Sequence, residues 1–459
     1  MNNRFAIVLA AGKGTRMQSK LYKVLHKVCD RTMVELVLDS IQNLNMQRVI
    51  TVVGCGAEKV KEAVGNRSEF VLQEKQLGTA HAVKVVKEKL VDKEGTTIIM
   101  YGDTPLIRAE TVDNMLTHHE NSEAKATVLT AFADNPFAYG RIIRDNDNKF
   151  LKIVEEKDAT EDEKKIKEIN SGIYCFDNKL LFDLIGKVQN DNKQQEYYLP
   201  DVLTLIREAG EKIETYLCED FDETFGVNDR VSLSYAENVM RDRINTLHML
   251  QGVTLVDPAN TYIAPNVKIG KDTTIYPNVT IKSNTIIGED CKIKPNTYIE
   301  NSIIGDGVKI LQSTITDSIV GDNSFVGPYA HLRNNTKLSD EVRIGNFVEL
   351  KNTTYDKGSK TAHLSYLGDA TVGSNTNIGC GTITVNYDGQ NKYNTTIGND
   401  TFIGCNSNLI APLKIGNGVV VAAGTTVTDD VEDDSLVIAR VKQENKEGYA
   451  KKLPAGRKL

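Results

Sequence analysis

No Cys-x-x-Cys pair occurs among the seven cysteines (29, 55, 175, 218, 291, 380 and 405). An odd, scattered set of this kind excludes a complete disulfide framework and a thiol-based zinc site, and it suits a reducing compartment. Long apolar runs are missing too. No segment approaches the ~18 residues of a membrane span, and the opening MNNRFAIVLAAGKG has too short an apolar run for a signal peptide. Positive charge is in deficit: 55 Lys and Arg face 62 Asp and Glu, for a net charge of −7 and a pI near 5.7. That balance argues against nucleic acid as a partner. The basic cluster Lys451, Lys452, Arg457 and Lys458 reads as a solvated tail. A length of 459 residues leaves room for two or three domains of a cytoplasmic protein with no membrane partner.

What is present is a ladder. Ile263, Ile269, Ile275, Ile281, Ile287, Ile293 and Ile299 recur with a step of six. At the 40% hydrophobic content of this chain, an unbroken run of this kind in one register arises by chance about 0.002 of the time. Six fits neither an amphipathic helix nor a heptad, but it is compatible with the two-residue period of a strand. Small or β-branched residues hold a second phase at Val267, Thr273, Val279, Thr285, Cys291 and Thr297. The period predicts a parallel β-helix in which each hexapeptide forms one side of a coil. The ladder returns at Val320–Leu350, at Val372 and Ile378, and at Ile397–Val427. Register slips fall at 300–319, 351–371 and 379–396, where extruded loops are expected. The second and third slips hold Lys351, His363, Tyr366, Asn386 and Tyr387, an unusual concentration of reactive groups for a structural solenoid.

The first half alternates strand and helix patterns. Strands are expected at Phe5–Leu9, Val49–Val53, Phe70–Leu72, Thr97–Met100, Ala126–Phe132, Arg141–Arg144, Phe150–Val154 and Ile173–Phe176. Helices are expected at Met33–Leu44, Ala57–Val64 and Thr79–Leu90. This alternation predicts a mostly parallel, Rossmann-like α/β sheet with its ligand outside the carboxyl ends of the strands. Asp229–Gln251 reads as a long linker helix stopped by Gly252. The expected domains are therefore 1–228, the connector 229–251, and the β-helix with its tail, 252–459. The loop Leu9-Ala10-Ala11-Gly12-Lys13-Gly14-Thr15-Arg16-Met17 follows the first strand. Its small residues let backbone N–H groups approach phosphate, and Lys13, Arg16 and Lys23 add charge. Its spacing matches neither the dinucleotide nor the P-loop pattern, and an ordinary βα turn is the bland alternative.

Leu-Ala-Ala-Gly-x-Gly-Thr-Arg-Met after a first strand resembles the sugar-phosphate nucleotidylyltransferases. Joined to a hexapeptide β-helix, it resembles the bacterial bifunctional N-acetylglucosamine-1-phosphate uridylyltransferase/glucosamine-1-phosphate N-acetyltransferase family. Further motifs that carry the resemblance are Gln76-Leu-Gly-Thr79, Tyr101-Gly102-Asp103, Tyr139-Gly-Arg141, Asn170-Ser-Gly172, Gly226-Val-Asn228, Gly345-Asn-Phe-Val-Glu349, His363-Leu-Ser-Tyr-Leu-Gly-Asp369 and Asn386-Tyr-Asp-Gly389. The ordered set spans nearly the whole chain.

The resemblance implies, for the first half, uridylyl transfer from UTP to N-acetylglucosamine 1-phosphate. Leu9, Ala10, Ala11, Gly12, Gln73, Gly78 and Thr79 match positions holding the nucleotide, with Tyr101 and Gly102 beside them. Gly140, Glu155 and Asn170 match sugar positions, and Asp103 and Asn228 match the ligands of Mg²⁺. Arg16 and Lys23 match groups that steady phosphate charge. Leu21-Tyr22-Lys23 stands where the family often has Leu-Pro-Lys. For the second half the resemblance implies acetyl transfer from acetyl-CoA to glucosamine 1-phosphate. His363 matches the general base, which Glu349 would orient. Arg333, Lys351, Tyr366 and Asn377 match sugar-phosphate contacts, Asn386 with them. Cys380, Asn386, Tyr387, Cys405, Ala423 and Arg440 match the acetyl-CoA strip, with Cys380 and Cys405 where the family often has Ala and Ser. A left-handed β-helix and a homotrimer are implied as well; the hand runs against the usual crossover rule, and the period cannot report it. The competing reading is a monofunctional sugar-1-phosphate nucleotidylyltransferase with a structural or regulatory β-helix.

Overall fold

The structure, a computed structural model, describes residues 3–452. Arg457 and Lys458 of the basic tail lie outside the described residues. The chain divides into two compact units, Met1–Arg243 and Ile244–Leu459. The division falls inside the helix Arg230–Leu250.

In the first unit, seven strands form the main sheet in the order Ile213–Leu217, Ala126–Phe132, Glu168–Asp177, Thr96–Tyr101, Arg4–Ala10, Arg48–Val53, Glu69–Leu72. Neighbours are parallel except for Glu168–Asp177, which runs antiparallel to both of its own. Gly140–Arg144 and Phe150–Val154 add an antiparallel ribbon on Glu168–Asp177. The first strand shows why both faces are covered. Phe5, Ile7 and Leu9 enter one hydrophobic core, while Ala6, Val8 and Ala10 enter the other. A two-residue period buried on both sides needs a layer of helices on each. The expected helix Met33–Leu44 stops at Asp39, where Ser40 turns its hydroxyl back onto the Val37 carbonyl at 2.7 Å. Thr79–Leu90 is broken into Thr79–Lys84 and Lys87–Leu90. The helices Ala109–Asn121 and Asp201–Glu208 and the edge strand Ile213–Leu217 join these elements without having been expected.

In the second unit, short strands stack in parallel as a β-helix. Ile263 pairs with Ile281, and Ile281 with Ile299, so one coil of three sides takes 18 residues. Six of the seven first rungs are buried, and Ile269 is half-buried. The corners have their own code. Asp272, Asn278, Asn284, Asp290 and Asn296 all adopt φ between 56° and 61°, each three residues before a rung. Asn and Asp tolerate this left-handed conformation best among residues with a Cβ, and they turn the chain from one side to the next.

Two of the three register slips are not loops. Across 300–319 the rungs continue at Ile304, Ile310 and Ile315, all buried. Ile299 pairs with Ile315, so the coil is shortened to 16 residues. Across 351–371 the strands Arg343–Tyr355 and Lys360–Val372 pair at an offset of 17, with Tyr355, Thr361 and Leu367 as buried rungs. A corner can give up a residue without moving the strands it joins, so a slip in the count marks a tightened corner here. Only the third slip extrudes chain: Ile378 pairs with Ile403, and the excess forms a loop closed by a Tyr387–Lys392 bridge.

Candidate active sites

The first site is an open cleft at the carboxyl ends of the central strands. Its lining includes Leu9, Ala10, Ala11, Gly12, Lys23, Gln73, Gly78, Thr79, Tyr101 and Asp103 from the sequence reading, and it adds Gln76 and Glu196. Strand pairing explains the meeting. Leu9 lies beside Tyr101 in register, and the Gly102 N–H donates to the Leu9 carbonyl at 2.9 Å. Gln73 follows the edge strand Glu69–Leu72 and donates through Nε2 to the Gly78 carbonyl at 3.2 Å. The Thr79 hydroxyl accepts from the Leu199 N–H at 2.9 Å.

At one end of this cleft the charged groups converge. Lys23 Nζ donates to Asp103 Oδ2 and, at 3.0 Å, to Asn228 Oδ1. Arg16 donates to the same Asn228 oxygen at 2.9 Å. Tyr22 keeps the φ of −69° that a proline would impose, and its ring lies against Gly56 so closely that a side chain there would collide with it. The missing proline is thus replaced by packing, and Lys23 remains placed. Gly140, Glu155 and Asn170 sit together: a Cβ on Gly140 would meet Glu155 Oε1 at 3.2 Å and Asn170 Cβ at 3.4 Å. Burial pushes the Glu155 carboxyl above its ordinary range, reinforced by Asp158 and Asp201. Burial likewise pushes the Tyr101 phenol up.

The second site follows the coil register. Asn346 pairs with His363, and the offset of 17 continued by the Gly381 N–H on the Leu364 carbonyl sets His363 one coil from Cys380. The Asn406 N–H donates to the Cys380 carbonyl at 2.7 Å, and the Gly424 N–H donates to that of Cys405 at 2.8 Å, so Cys380, Cys405 and Ala423 occupy equivalent corners of successive coils. Arg440 donates to the Ala423 carbonyl at 2.8 Å. One column therefore runs from Asn346 through His363, Cys380, Cys405 and Ala423 to Arg440.

The expected pairing of Glu349 with His363 is corrected. Glu349 lies in register with Tyr366 and accepts from Arg333 at 2.8 and 2.6 Å. His363 Nδ1 instead bonds Asn346 Oδ1 at 2.8 Å. The offset of three from Asn346 to Glu349 moves the carboxylate to a different position of the coil. Because an amide oxygen only accepts, Nδ1–H is the donor in this bond, which fixes the orientation of the ring.

Arg333 and Lys351 are register partners. Lys392, on the extruded loop, joins them and pulls the Lys351 ammonium below its ordinary range, with Arg333 adding to the effect. Sequence reasoning missed Lys392; the signal for it was a lone lysine in the one slip that extrudes a loop. Asn386 donates to Asp369, which also accepts from Asn352 at 2.6 Å. Tyr387 donates its hydroxyl to the Gly389 carbonyl at 2.6 Å. Asn377 is not brought to this group: its register partners are Lys360 and Phe402.

The Nucleotidyl transferase family matches residues 5–222, the GMPPB C-terminal domain 259–361, and the bacterial transferase hexapeptide (six repeats) 394–429. A nucleotidyl transferase joined to a hexapeptide-repeat transferase is the class that this fold and these sites define. Over nearly their full lengths, curated relatives share this arrangement. The bifunctional protein GlmU of Staphylococcus epidermidis is 56% identical over 449 residues, covering 98% of this chain and 100% of the relative. That of a Geobacillus species is 55% identical over 453 residues, 99% of each. That of Listeria monocytogenes serotype 4b is 54% identical over 457 residues, 100% of each. The chain belongs to the bifunctional GlmU family, and it is a bifunctional enzyme rather than a transferase with a structural tail.

Proposed function

We propose that the two units catalyse successive steps in the formation of UDP-N-acetylglucosamine, in domains 1–228 and 252–459 joined by the connector 229–251. The second transfers acetyl from acetyl-CoA to the amine of glucosamine 1-phosphate. The first transfers the uridylyl group of UTP to the resulting N-acetylglucosamine 1-phosphate and releases pyrophosphate. The observation that carries this reading is the column from Asn346 to Arg440 beside the cations Arg333, Lys351 and Lys392, equipment that a purely structural stack does not need.

In the first site, the Leu9–Gly12 backbone, Gln73, Gly78 and Thr79 hold the nucleotide, and Gly140, Glu155 and Asn170 orient the sugar. A phosphate oxygen of the sugar attacks the α-phosphorus as the bond to the β-phosphate breaks. Lys23 and Arg16 neutralise charge on the transferring group and on pyrophosphate. Asp103 and Asn228 would hold Mg²⁺. Their oxygens already converge on one cation, the Lys23 ammonium, and one carboxylate plus one amide suits an ion that keeps water and phosphate oxygens as its other ligands. When bound, the ion supplies further charge neutralisation.

In the second site, Arg333, Lys351 and Lys392 grip the sugar phosphate, Tyr366 and Asn386 contact the sugar, and Glu349 aligns Arg333. His363 Nε2 removes a proton from the substrate ammonium. The amine attacks the thioester carbonyl, the C–S bond breaks, and CoA leaves as the thiol. Cys380, Tyr387, Cys405, Ala423 and Arg440 line the extended cofactor. His363 is exposed in the single chain, beside a ridge of Tyr329, Phe347 and Leu364 that is 52%, 56% and 62% exposed. Such a ridge supports a homotrimer in which a neighbour covers the site. Among the described residues no helix is long and apolar enough to cross a membrane, and we place the enzyme in the cytoplasm.

Two separate assays test the proposal: pyrophosphate release from UTP with N-acetylglucosamine 1-phosphate, and CoA release from acetyl-CoA with glucosamine 1-phosphate. His363→Ala should abolish only the second and Asp103→Ala only the first. Loss of both activities in one folded variant would sink the two-site reading.

A further inference from the structure

Cys380 and Cys405 stand at equivalent corners of neighbouring coils, in the matching contexts Ile378-Gly379-Cys380 and Ile403-Gly404-Cys405. The coils approach closely at this point: a Cβ on Gly379 would meet the Cys405 nitrogen at 2.7 Å. Register neighbours in stacked parallel strands lie ~4.8 Å apart, inside the ~4.4–6.8 Å Cα window of a disulfide. Both thiols are free, Cys405 exposed and Cys380 half-buried. Cys29, Cys175, Cys218 and Cys291 are buried, and the half-buried Cys55 belongs to the other unit. The accessible thiols of the second unit are thus this pair, 25 residues apart in sequence and one coil apart in space.

We propose that Cys380 and Cys405 form a peroxide-driven disulfide that switches off acetyl transfer while leaving uridylyl transfer running. The thiolate of the exposed Cys405 attacks hydrogen peroxide; the O–O bond breaks, hydroxide leaves, and a sulfenic acid forms. The Cys380 thiol then attacks that sulfur and expels water. Two thiols are oxidised by two electrons, one S–S bond forms, and one peroxide is reduced to two waters. The bond ties two coils across the strip assigned to acetyl-CoA. The switch rests on that assignment; the bond itself does not.

The test treats the purified, reduced full chain with hydrogen peroxide and follows both activities, with mass mapping of non-reduced peptides. The expected result is a peptide linking Cys380 to Cys405, loss of acetyl transfer, retention of uridylyl transfer, and recovery with dithiothreitol. In Cys405→Ser and in Cys380→Ala, each compared with its own reduced rate, peroxide should no longer cause a reversible loss. Inactivation without the linked peptide, unchanged sensitivity in either variant, or a mapped bond with undiminished acetyl transfer would each overturn the switch. Absence of acetyl transfer in the reduced wild type would overturn the functional reading as well, and mapping would still report the bond separately.

Discussion

The first unit collects its site from loops after several strands, whereas the second builds its site by repeating one position from coil to coil. In the first, Leu9, Gln73 and Asp103 come from distant parts of the chain and meet because the sheet order places their strand ends together, and Asn228 joins them through the Val227 N–H on the Asp103 carbonyl. In the second, His363, Cys380, Cys405 and Ala423 meet because each lies one coil after the last. The loop site can change one residue at a time. The column ties chemistry to register, so any change in coil length moves a side chain relative to its neighbours.

The sharpest way to break this comparison is to remove one group from each site. His363→Ala should cost acetyl transfer about 10²–10⁴-fold, the usual worth of a positioned base, with uridylyl transfer unchanged. Asp103→Ala should do the reverse, lowering uridylyl transfer about 10²–10³-fold, as expected for loss of preorganised electrostatic stabilisation. Steady-state kinetics of both reactions on each variant decides the matter. Next in size is the stack itself. Ile299 is fully buried as a rung, and Ile299→Ala should destabilise the second unit by about 2–5 kcal/mol in urea denaturation, without shifting the unfolding of the first. Lys392→Ala should raise KM for glucosamine 1-phosphate about tenfold with little change in kcat, since it removes one charge-assisted contact to phosphate. The smallest effect is at a corner. Asn278, at φ 58°, should lose about 1 kcal/mol on replacement by Ala and almost nothing on replacement by Gly.

The two units also differed in how far they could be read from sequence. The six-residue step of isoleucines exposed the solenoid directly, because every coil repeats the same burial. The corner signal was equally visible over the first run, as an Asn or Asp three residues before each rung from Ile263 to Ile299. The slips misled because a missing residue and an inserted loop both break a fixed count. Only the pairing of Ile299 with Ile315 shows that the first slip is a shortened coil. In the first unit, Arg4–Ala10 and its loop were clear. The helix Asp201–Glu208 and the edge strand Ile213–Leu217 were not, because their patterns are short and lie in polar surroundings. Glu349 was assigned to His363 on resemblance; the pairing of Asn346 with His363 depends on an offset of 17 that a regular step of six does not reveal.

The coil spacing has one more consequence. From His363 to Arg440 the column climbs four coils, which at ~4.8 Å each amounts to about 19 Å along the axis. A stack of equal rises is a ruler, and an enzyme that handles a long, thin substrate can use it to read length. Each graduation offers a backbone or a small side chain, and the two ends carry the reactive imidazole and the terminal guanidinium. Adding or deleting a whole coil between them would leave every local contact intact and still misplace the far end of the ligand. In this half of the protein, distance is written in the number of turns.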